Sequence, residues 1–375
     1  MSKALEIREV KTKSDLKKFI LYPHKLYAGN PNWVPNLVFD ELNILSKEKN
    51  PAFDHCESKY WLAYSNDEIV GRVAAIVNRH YIEKWKNNYV RFGWIDFIDD
   101  FKVSAALTGE VENWAKSLGM SAIHGPLGFT DMDPEGLLIS GFDEIGNMAS
   151  IYNYPYYSNH LDNLGYKKDT DWIEFEVTVP DKVSEKITRI AEIVRTKYKL
   201  EVLKTKSRKD LLPYTRKIFD LLNITYAHLY GVTELTESQI NAYIKQYFGF
   251  IRHEYVNIIL DENKNLVAFG ISMPSLSKAL RKSKGKLFPF GFIRLMRAMK
   301  KNDRLDMYLI GVHPKYQNKG INALLMSELT QTCINNGIKV AEAHHELEDN
   351  TKVQAIWDYF ESRKHKRRRC YIKTL

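Results

Sequence analysis

The most informative stretch of this chain is an apolar segment, residues 307–312, that passes through a glycine-containing loop into an amphipathic helix. His313-Pro314 ends the extended segment, because proline has no N–H to give to a β ladder. Asn336-Gly337 then supplies a typical helix stop. Between these limits, apolar residues recur at helical spacing: Ile321, Leu324, Leu325, Leu329 and Cys333. The order of strand, loop and helix predicts an α/β fold.

The loop between this strand and this helix has the composition of a phosphate-binding turn. A helix N-terminus offers unpaired backbone N–H groups and the positive end of the helix dipole, and glycine lets an anion approach the main chain closely. We therefore expect the pyrophosphate of a nucleotide-like cofactor to bind here. The predicted contacts are Gln317, Asn318, Lys319, Gly320, Ile321 and Asn322.

These loop residues resemble motif A of the GNAT superfamily of acyl-CoA-dependent N-acyltransferases, whose loop reads Gln/Arg-x-x-Gly-x-Gly/Ala. Gln317 and Gly320 match that pattern, and Asn322 stands where the family has a small residue. Asparagine tolerates unusual backbone angles better than most residues. The resemblance implies that the backbone of Ile310 and Val312 meets the pantetheine arm and that an N–H there stabilises the oxyanion.

The two halves of the chain carry similar orders of predicted elements. In each half, a strand is followed by helical segments, a strand–turn–strand hairpin, another strand and a helix. In the second half, the first strand is predicted at residues 200–204 and the helical segments at residues 210 to about 248. A linker near Pro180 divides the chain into predicted domains 1–180 and 181–375. The predicted fold class is therefore α/β, with two GNAT-like domains in tandem, each a mixed, mostly antiparallel sheet with flanking helices.

The N-terminal half differs from its counterpart at the position of the anion loop. It has Asp99 and Asp100 there and no glycine. Each carboxylate near a pyrophosphate would cost on the order of a few kcal/mol at an effective dielectric constant of about 20. We expect acyl-CoA to bind only within residues 181–375.

Beyond the loop, the chain is similar to a bacterial family of tandem-GNAT proteins over most of its length. The segments that carry this resemblance are 124–128, 131–133, 135–138, 152–157, 347–350 and the basic residues 366–368. The resemblance implies an acyltransferase of class EC 2.3.1.-, in which an amine attacks the thioester of acetyl-CoA or another acyl-CoA directly. A hydroxyl acceptor is the less favoured variant. The alternatives are a non-catalytic acyl-CoA sensor that docks on an anionic partner and, if CoA does not bind, a scaffold.

Asp306 is the first candidate for the general base. It lies six residues before Val312, where some family members place a catalytic carboxylate. The other interpretation is a solvated acid in the turn that follows Arg304, since an unperturbed aspartate with a pKa of about 3.9 is a weak base.

A second set of candidates lies on the next predicted strand, residues 339–347. Strict alternation would put Glu342, His344 and Glu346 on one face, where a histidine between two carboxylates is favoured in its charged form and could relay a proton. A polar sheet face that satisfies its own hydrogen bonds is the alternative.

Asn350 matches the family residue that opens the helix beside the cofactor, and it is also a good helix N-cap. The family usually has a tyrosine seven residues later, which protonates the leaving thiolate. This chain has Trp357 there, which favours core packing or a wall for the pantetheine.

The net charge of +9 is concentrated in residues 278–304, which hold ten lysines or arginines and one acid, Asp303. Apolar and aromatic residues are interleaved with these cations, a composition that suits a membrane surface, an acyl carrier protein or an anionic acceptor. A solvated insertion is the alternative. The rest of the chain sums to zero charge, and the basic run 364–369 lacks interleaved aromatic residues, so nucleic-acid binding is disfavoured.

The three cysteines form no CxxC pair, which indicates neither a zinc site nor a disulfide framework, and no metal is expected. No stretch reaches the roughly 18 to 20 apolar residues of a membrane span, and the first residues lack the apolar region of a signal peptide. The sequence therefore predicts a cytoplasmic protein without a transmembrane segment.

Overall fold

The computed structural model describes residues 5–375 and divides the chain into two compact units. The first unit comprises residues up to Trp172 together with Leu276–Leu295 and Lys366–Leu375, and the second comprises Ile173–Ser275 and Met296–His365. These ranges differ from the predicted division at residue 180. The reason is that two later segments pack with the first unit, and a linker search along the sequence does not register such long-range pairing.

The described residues form thirteen strands and twelve α-helices. The strands are β1 (Leu5–Glu9), β2 (Cys56–Ser65), β3 (Glu68–Asn78), β4 (Tyr89–Phe97), β5 (Ala122–Gly125), β6 (Leu137–Ser140), β7 (Lys167–Thr178), β8 (Glu201–Val202), β9 (Val256–Leu260), β10 (Leu266–Pro274), β11 (Arg304–Val312), β12 (Val340–Leu347) and β13 (Ser362–Thr374).

The helices are α1 (Lys13–Leu26), α2 (Val38–Ile44), α3 (Arg79–Trp85), α4 (Phe101–Ser117), α5 (Tyr156–Asn163), α6 (Glu185–Lys197), α7 (Leu212–Tyr226), α8 (Glu237–Tyr247), α9 (Ser277–Ser283), α10 (Gly291–Lys300), α11 (Ile321–Asn335) and α12 (Thr351–Gln354).

In the first unit, β1, β2, β3 and β4 are antiparallel neighbours, and β4 pairs with β5 in parallel. Residues 371–374 of β13 then pair antiparallel with β5, from Tyr371 opposite Gly125 to Thr374 opposite Ala122. Helix α4 buries Val103, Leu107 and Val111 against this sheet. The last strand of the first unit thus comes from the far end of the printed sequence.

In the second unit, β8, β9, β10 and β11 form an antiparallel series, and β11 pairs with β12 in parallel. Helix α11 packs its apolar residues Ile321, Leu324 and Leu325 into the core on one face of this sheet. The side chain of Asn257 on β9 donates to the carbonyl of Leu325 at 3.2 Å, which ties the helix to the sheet. This is the strand, loop and helix order that the sequence predicted.

Two predicted elements are shorter than expected. The helical segment 210–248 is interrupted, because α7 ends at Tyr226 and α8 begins only at Glu237. Thr236 and Gln239 form a capping box, in which each side chain accepts from the other residue's backbone N–H, so a new helix starts there. The predicted strand 200–204 is reduced to β8 at Glu201–Val202.

A buried ion pair joins α1 to the sheet of the first unit. The Arg72 Nε lies 2.7 Å from Asp96 Oδ2, and an Nη1–H of the same guanidinium donates to the carbonyl of Phe19 at 3.0 Å. Tyr27 completes the network by donating its hydroxyl to Asp96 Oδ1 at 2.7 Å. Charges in such a position are tolerated because each one is paired and hydrogen-bonded.

Replacing Asp96 with asparagine should destabilise the first unit by about 3 kcal/mol, because the buried Arg72 charge loses its counter-charge. Urea unfolding followed by tryptophan fluorescence measures this loss. The matched control is Asp67→Asn, because Asp67 also pairs with an arginine but its side chain is 91% exposed. Equal unfolding midpoints for the two variants would contradict the importance given to this pair.

Candidate active site

The loop before α11 is shaped by two residues with left-handed backbone angles. Asn318 has φ of 59° and Gly320 has φ of 79°, and Gly320 is the N-cap residue of α11. The left-handed angle of Gly320 favours glycine, and a Cβ atom there would lie 3.1 Å from Val194 Cγ2 on α6, so the valine would have to shift. The strained turn leads the chain directly into the helix N-terminus.

This turn presents a row of backbone donors. Among residues 5–375, no acceptor is found for the N–H groups of residues 318–322, and the first backbone bond of the helix runs from Ala323 N to Gly320 O at 3.0 Å. Unpaired N–H groups at the positive end of a 15-residue helix are the ordinary protein environment for a phosphate or pyrophosphate. The predicted cradle therefore has the geometry that such an anion needs.

Three side chains of the predicted loop take positions that the sequence did not specify. Gln317 donates from Nε2 to the carbonyl of Val312 at 3.1 Å, so it braces the loop. Lys319 extends its ammonium over two aromatic rings, 5.3 Å from the Tyr198 centroid and 5.4 Å from the Tyr316 centroid. Asn322 lies in the first turn of α11, and the asparagine that adopts the unusual angle is Asn318.

Beside this loop, the parallel strands β11 and β12 stop pairing. Their pairing runs from Arg304 opposite Val340 to Met307 opposite Ala343 and stops there, although both strands continue. A bulge in β11 follows at once, because Ile271 of β10 faces Leu309 and Ser272 faces Met307, which leaves Tyr308 without an opposite residue. Ile310 and Val312 lie beyond this point, at the open edge of β11.

Tyr226, the last residue of α7, reaches the open edge of β11. Its hydroxyl accepts from the N–H of Ile310 at 3.3 Å and donates to the carbonyl of the same residue at 3.2 Å. The N–H that was predicted to stabilise an oxyanion is thus already hydrogen-bonded. Val312 is two residues further along the strand and presents its N–H on the same side.

The first unit closes the equivalent gap. Its parallel pair β4 and β5 ends at Arg91 opposite His124, and the chain then continues along β4 by a bond from Leu127 N to the carbonyl of Phe92 at 2.8 Å. The N-terminus of α4 is occupied as well, because the Asp100 carboxylate accepts from Lys102 N at 2.9 Å. Both observations favour the expectation that acyl-CoA binds only in the second half, which stays a prediction.

A buried polar cluster lies on β11 and β12, close to the point where the two strands stop pairing. The imidazole of His344 is surrounded by three carboxylates: Glu342 Oε1 at 3.6 Å and Glu174 Oε2 at 3.9 Å from Nδ1, and Asp306 Oδ1 at 4.0 Å from Nε2. His365 Nε2 lies 3.6 Å from the same oxygen of Glu342. The predicted residues Asp306, Glu342 and His344 are therefore brought together.

The edge of this cluster is made by residues that sequence reasoning did not select. Tyr308, the bulged residue, donates its hydroxyl to Asp306 Oδ2 at 3.3 Å. Arg304 binds Glu176 at 2.7 Å and lies 3.7 Å from Glu342, so it supplies positive charge at the other end. Tyr308 is thus hydrogen-bonded to Asp306, whose other carboxylate oxygen lies 4.0 Å from His344 Nε2.

The charges of the cluster act on its titrating groups. Burial lowers the pKa of His344, but the carboxylates of Glu174, Glu342 and Asp306 outweigh it, and the pKa lies above the ordinary value of 6.5. Burial and the neighbouring Asp306 raise the pKa of Tyr308 well above 10. The cluster therefore favours a charged imidazole and a neutral phenol.

Glu346 does not belong to this cluster, which corrects the prediction of one polar face. His345 has φ of 49°, so the alternation of β12 breaks there. Glu346 consequently accepts from Trp357 Nε1 at 2.7 Å, and Trp357 lies in the core together with Ala341 and Ala343. Burial raises the pKa of Glu346 from 4.5 to about 7, partly offset by the indole hydrogen bond.

Asn350 occupies the N-cap position of the four-residue helix α12, but its side chain makes no capping hydrogen bond. Its backbone carbonyl accepts from Val353 N at 3.1 Å, which begins the turn. Asn350 therefore holds the predicted N-cap position, but its side-chain amide takes no part in capping. Trp357, seven residues on, packs with Phe175 at a ring separation of 6.1 Å, as expected for a core residue.

A model of the Acetyltransferase (GNAT) family matches residues 217–359, which contain the loop together with β11, β12 and α11. Protein YghO of Escherichia coli (strain K12) is 30% identical over 98% of this chain and 95% of its own length. The chain belongs to the GNAT family. The bacterial ceramide synthase of Caulobacter vibrioides (strain NA1000 / CB15N) is 26% identical over 99% of this chain and 98% of its own length.

A solved structure supports the architecture. The tandem GNAT protein from the clavulanic acid biosynthesis pathway superposes with a TM-score of 0.57 over 99% of this chain and 98% of its own length, at 12% identity. That likeness shows the fold alone. The predicted α/β tandem-GNAT fold is confirmed, and so is the prediction that this GNAT protein is an acyltransferase.

The chemistry of the cluster allows more than one occupant. Glu174, Glu342 and His344 each offer one ligand atom, and these atoms lie within 4.8 Å of one another, so they could hold a metal ion. The sequence predicted a site without metal, and that stays a prediction. Among the described residues, no helix is long and apolar enough to cross a membrane.

Besides Arg304 and Glu176, four residues at the site escaped sequence reasoning: Tyr226, Tyr308, Glu174 and His365. Tyr308 carried a signal, since it follows Asp306 by two residues on the same predicted strand. The other three come from α7, β7 and β13, and only the tertiary structure brings them near β11 and β12.

Replacing Gly320 with aspartate should lower the affinity for CoA by about a hundredfold or more, because a carboxylate would face the pyrophosphate and a Cβ would strain the turn. Isothermal titration with CoA measures the affinity. Gly337→Asp is the matched control, because Gly337 ends the same helix with φ of 71° and a Cβ there would meet nothing within 4 Å. Normal CoA binding by Gly320→Asp would contradict the assignment of the loop.

Glu346 should make the protein less stable as the pH rises. Its pKa is about 7 in the folded chain against an ordinary 4.5, so the folded state holds the proton more tightly and the stabilisation, full below about 4.5, is lost as the pH rises through about 7. The effect amounts to about 3 kcal/mol.

Between about pH 5 and about pH 8, the urea midpoint of the Glu346→Gln variant should therefore fall less than that of the unaltered chain. Glu185→Gln serves as the control, because the Glu185 side chain is 95% exposed. An unchanged pH dependence in Glu346→Gln would show that this carboxyl titrates normally.

Proposed function

We propose that this protein is an acyl-CoA-dependent N-acyltransferase, in which an acceptor amine attacks the thioester directly. The observation that carries the proposal is the juxtaposition of a helix N-terminus with free N–H groups and an open strand edge beyond Met307 and Ala343. The first can hold the diphosphate, and the second can receive the pantetheine arm.

In this proposal, donor binding rests mostly on backbone groups. Residues 318–322 hold the pyrophosphate through their N–H groups, and Lys319 adds positive charge nearby. The amide of Val312 faces the thioester carbonyl, where a fixed N–H stabilises the oxyanion as it forms. Ile310 can contribute in the same way once the Tyr226 hydroxyl moves from its N–H.

The polar cluster provides a path for the proton. When the amine nitrogen bonds to the acyl carbon and the carbon–sulfur bond breaks, the amine loses one proton and the CoA thiolate gains one. Asp306 is our candidate to accept the proton, through the hydroxyl of Tyr308, with His344 and its carboxylate neighbours setting the charge behind it. The group that protonates the thiolate is not assigned, since Trp357 has no acidic proton to give.

The acceptor that we propose is a primary amine on a long hydrocarbon chain. Support comes from the Caulobacter relative, whose name is bacterial ceramide synthase and which matches nearly the whole chain. Ceramide formation acylates the amine of a long-chain base, which is the bond type that the site is suited to form. The predicted cytoplasmic location stays a prediction.

Asp306→Asn should lower turnover by about a hundredfold or more while leaving acyl-CoA affinity unchanged, because it removes a proton acceptor that does not touch the donor. Release of CoA, followed with a thiol reagent, measures turnover with acetyl-CoA and longer acyl-CoA donors and with short and long-chain amines as acceptors. Asp303→Asn is the matched control, because Asp303 is exposed and lies three residues away.

The outcomes separate three functions. Product formation that depends on Asp306 supports the enzyme. Tight binding of acyl-CoA without CoA release or acylated product for any acceptor would support the sensor instead. A chain that binds no CoA would contradict both and leave a scaffold role.

A further inference from the structure

The basic segment 278–304, called here the basic insertion, carries exposed apolar side chains: Phe288, Phe290, Phe292 and Ile293. Their exposed fractions are 83%, 63%, 48% and 47%. Large apolar side chains are occasionally exposed singly, but four within six residues mark an interaction surface. We name this group the aromatic face.

The segment that bears the aromatic face is anchored to the first unit. Leu280 of α9 is fully buried, and Val38 N donates to the carbonyl of Gly285 at 3.0 Å. A Cβ at Gly285 would lie 2.2 Å from the carbonyl oxygen of Asn36, so the two backbones are in direct contact. The exposed rings are therefore held outward by a fixed support.

Exposed cations flank the aromatic face along the chain. Lys282, Lys284, Lys286 and Arg294 are exposed, and the sequence has no aspartate or glutamate from residue 263 to residue 302. Positive charge interleaved with phenylalanine suits the boundary between lipid headgroups and acyl chains. The cations meet phosphates there while the rings reach hydrocarbon.

A cavity lies behind this segment in the same unit. It has a volume of about 90 Å³, and its lining combines His24 and the aromatic rings of Tyr27, Trp33 and Tyr152 with the charged side chains of Glu41, Arg72 and Asp96. The strip 33–38 that forms its wall is also the strip on which Gly285 rests. Burial lowers the pKa of His24 to about 4, helped by Arg72, Lys286 and Lys284, so its ring is neutral at pH 7.

We propose that the aromatic face and its surrounding cations dock the protein on an anionic lipid bilayer. A bilayer matches both halves of the surface, the apolar rings and the cations, whereas an acidic protein surface alone would leave the rings in water. The contact has a purpose that rests on the proposed function, since a long-chain amine held in the bilayer would be taken up beside this cavity.

The test is co-sedimentation of the full chain with phosphatidylcholine vesicles, with and without phosphatidylglycerol. We expect binding to the anionic vesicles, weakened by salt, and little binding to the neutral ones. Phe288→Ser and Phe292→Ser should each lower the partition coefficient by about tenfold, because each removes a ring that would enter the hydrocarbon.

Lys284→Gln/Lys286→Gln should lower binding to anionic vesicles only. Phe101→Ser is the matched control for the rings, because Phe101 is 46% exposed on α4, outside the insertion. Lys182→Gln, at a lysine whose side chain is 85% exposed, controls for charge. Both controls should sediment like the unaltered chain.

The proposal is overturned if the chain does not sediment with anionic vesicles or if Phe288→Ser sediments as well as Phe101→Ser. It is overturned equally if an acyl carrier protein binds in a way that needs Phe288 while vesicles do not. Turnover with water-soluble acyl-CoA and amine, measured without vesicles, should be equal in Phe288→Ser and the unaltered chain. If neither Phe288→Ser nor the unaltered chain shows turnover, the proposed function is contradicted. The vesicle experiment then still decides whether the chain docks on a bilayer.

Discussion

The end of pairing between β11 and β12 is the feature on which the rest of the site depends. After Met307 and Ala343, the backbone groups of β11 lose a neighbouring strand and need other partners. Tyr226 satisfies Ile310, and Gln317 satisfies the carbonyl of Val312. The first unit shows the other solution, in which the chain around Leu127 fills the gap by continuing along β4. The gap where two parallel strands stop pairing is therefore left open in the second unit and filled by the chain in the first unit.

Short-range features of this site were accessible from the sequence. A glycine loop between an apolar strand and an amphipathic helix depends on neighbouring residues only, and the structure has β11, the left-handed Gly320 and α11 in that order. The role of Gln317 as a brace and the left-handed angle at Asn318 were not predicted. They depend on where Val312 and α6 lie, and loop composition does not encode those distances.

The polar residues of β12 show the limit of predicting side-chain direction from the alternation of a strand. Alternation correctly grouped Glu342 with His344, but the left-handed angle of His345 sends Glu346 to the opposite side. No alternation rule locates such a break, although histidine, like asparagine and aspartate, adopts left-handed angles more often than other residues that carry a Cβ. As a result, two environments with opposite electrostatic character lie four residues apart. One holds a histidine among carboxylates, and the other holds a lone carboxyl against an indole.

The discontinuity of the first unit bears on how the protein is made. Its sheet includes residues 371–374 of β13, which pair with β5, while most of the second unit lies between them in the sequence. A ribosome delivers residues in order, so the early part of the chain must wait, with one edge of its sheet uncovered, until nearly all the printed sequence has emerged. The first unit, whose synthesis begins earlier, is therefore the one that is completed later.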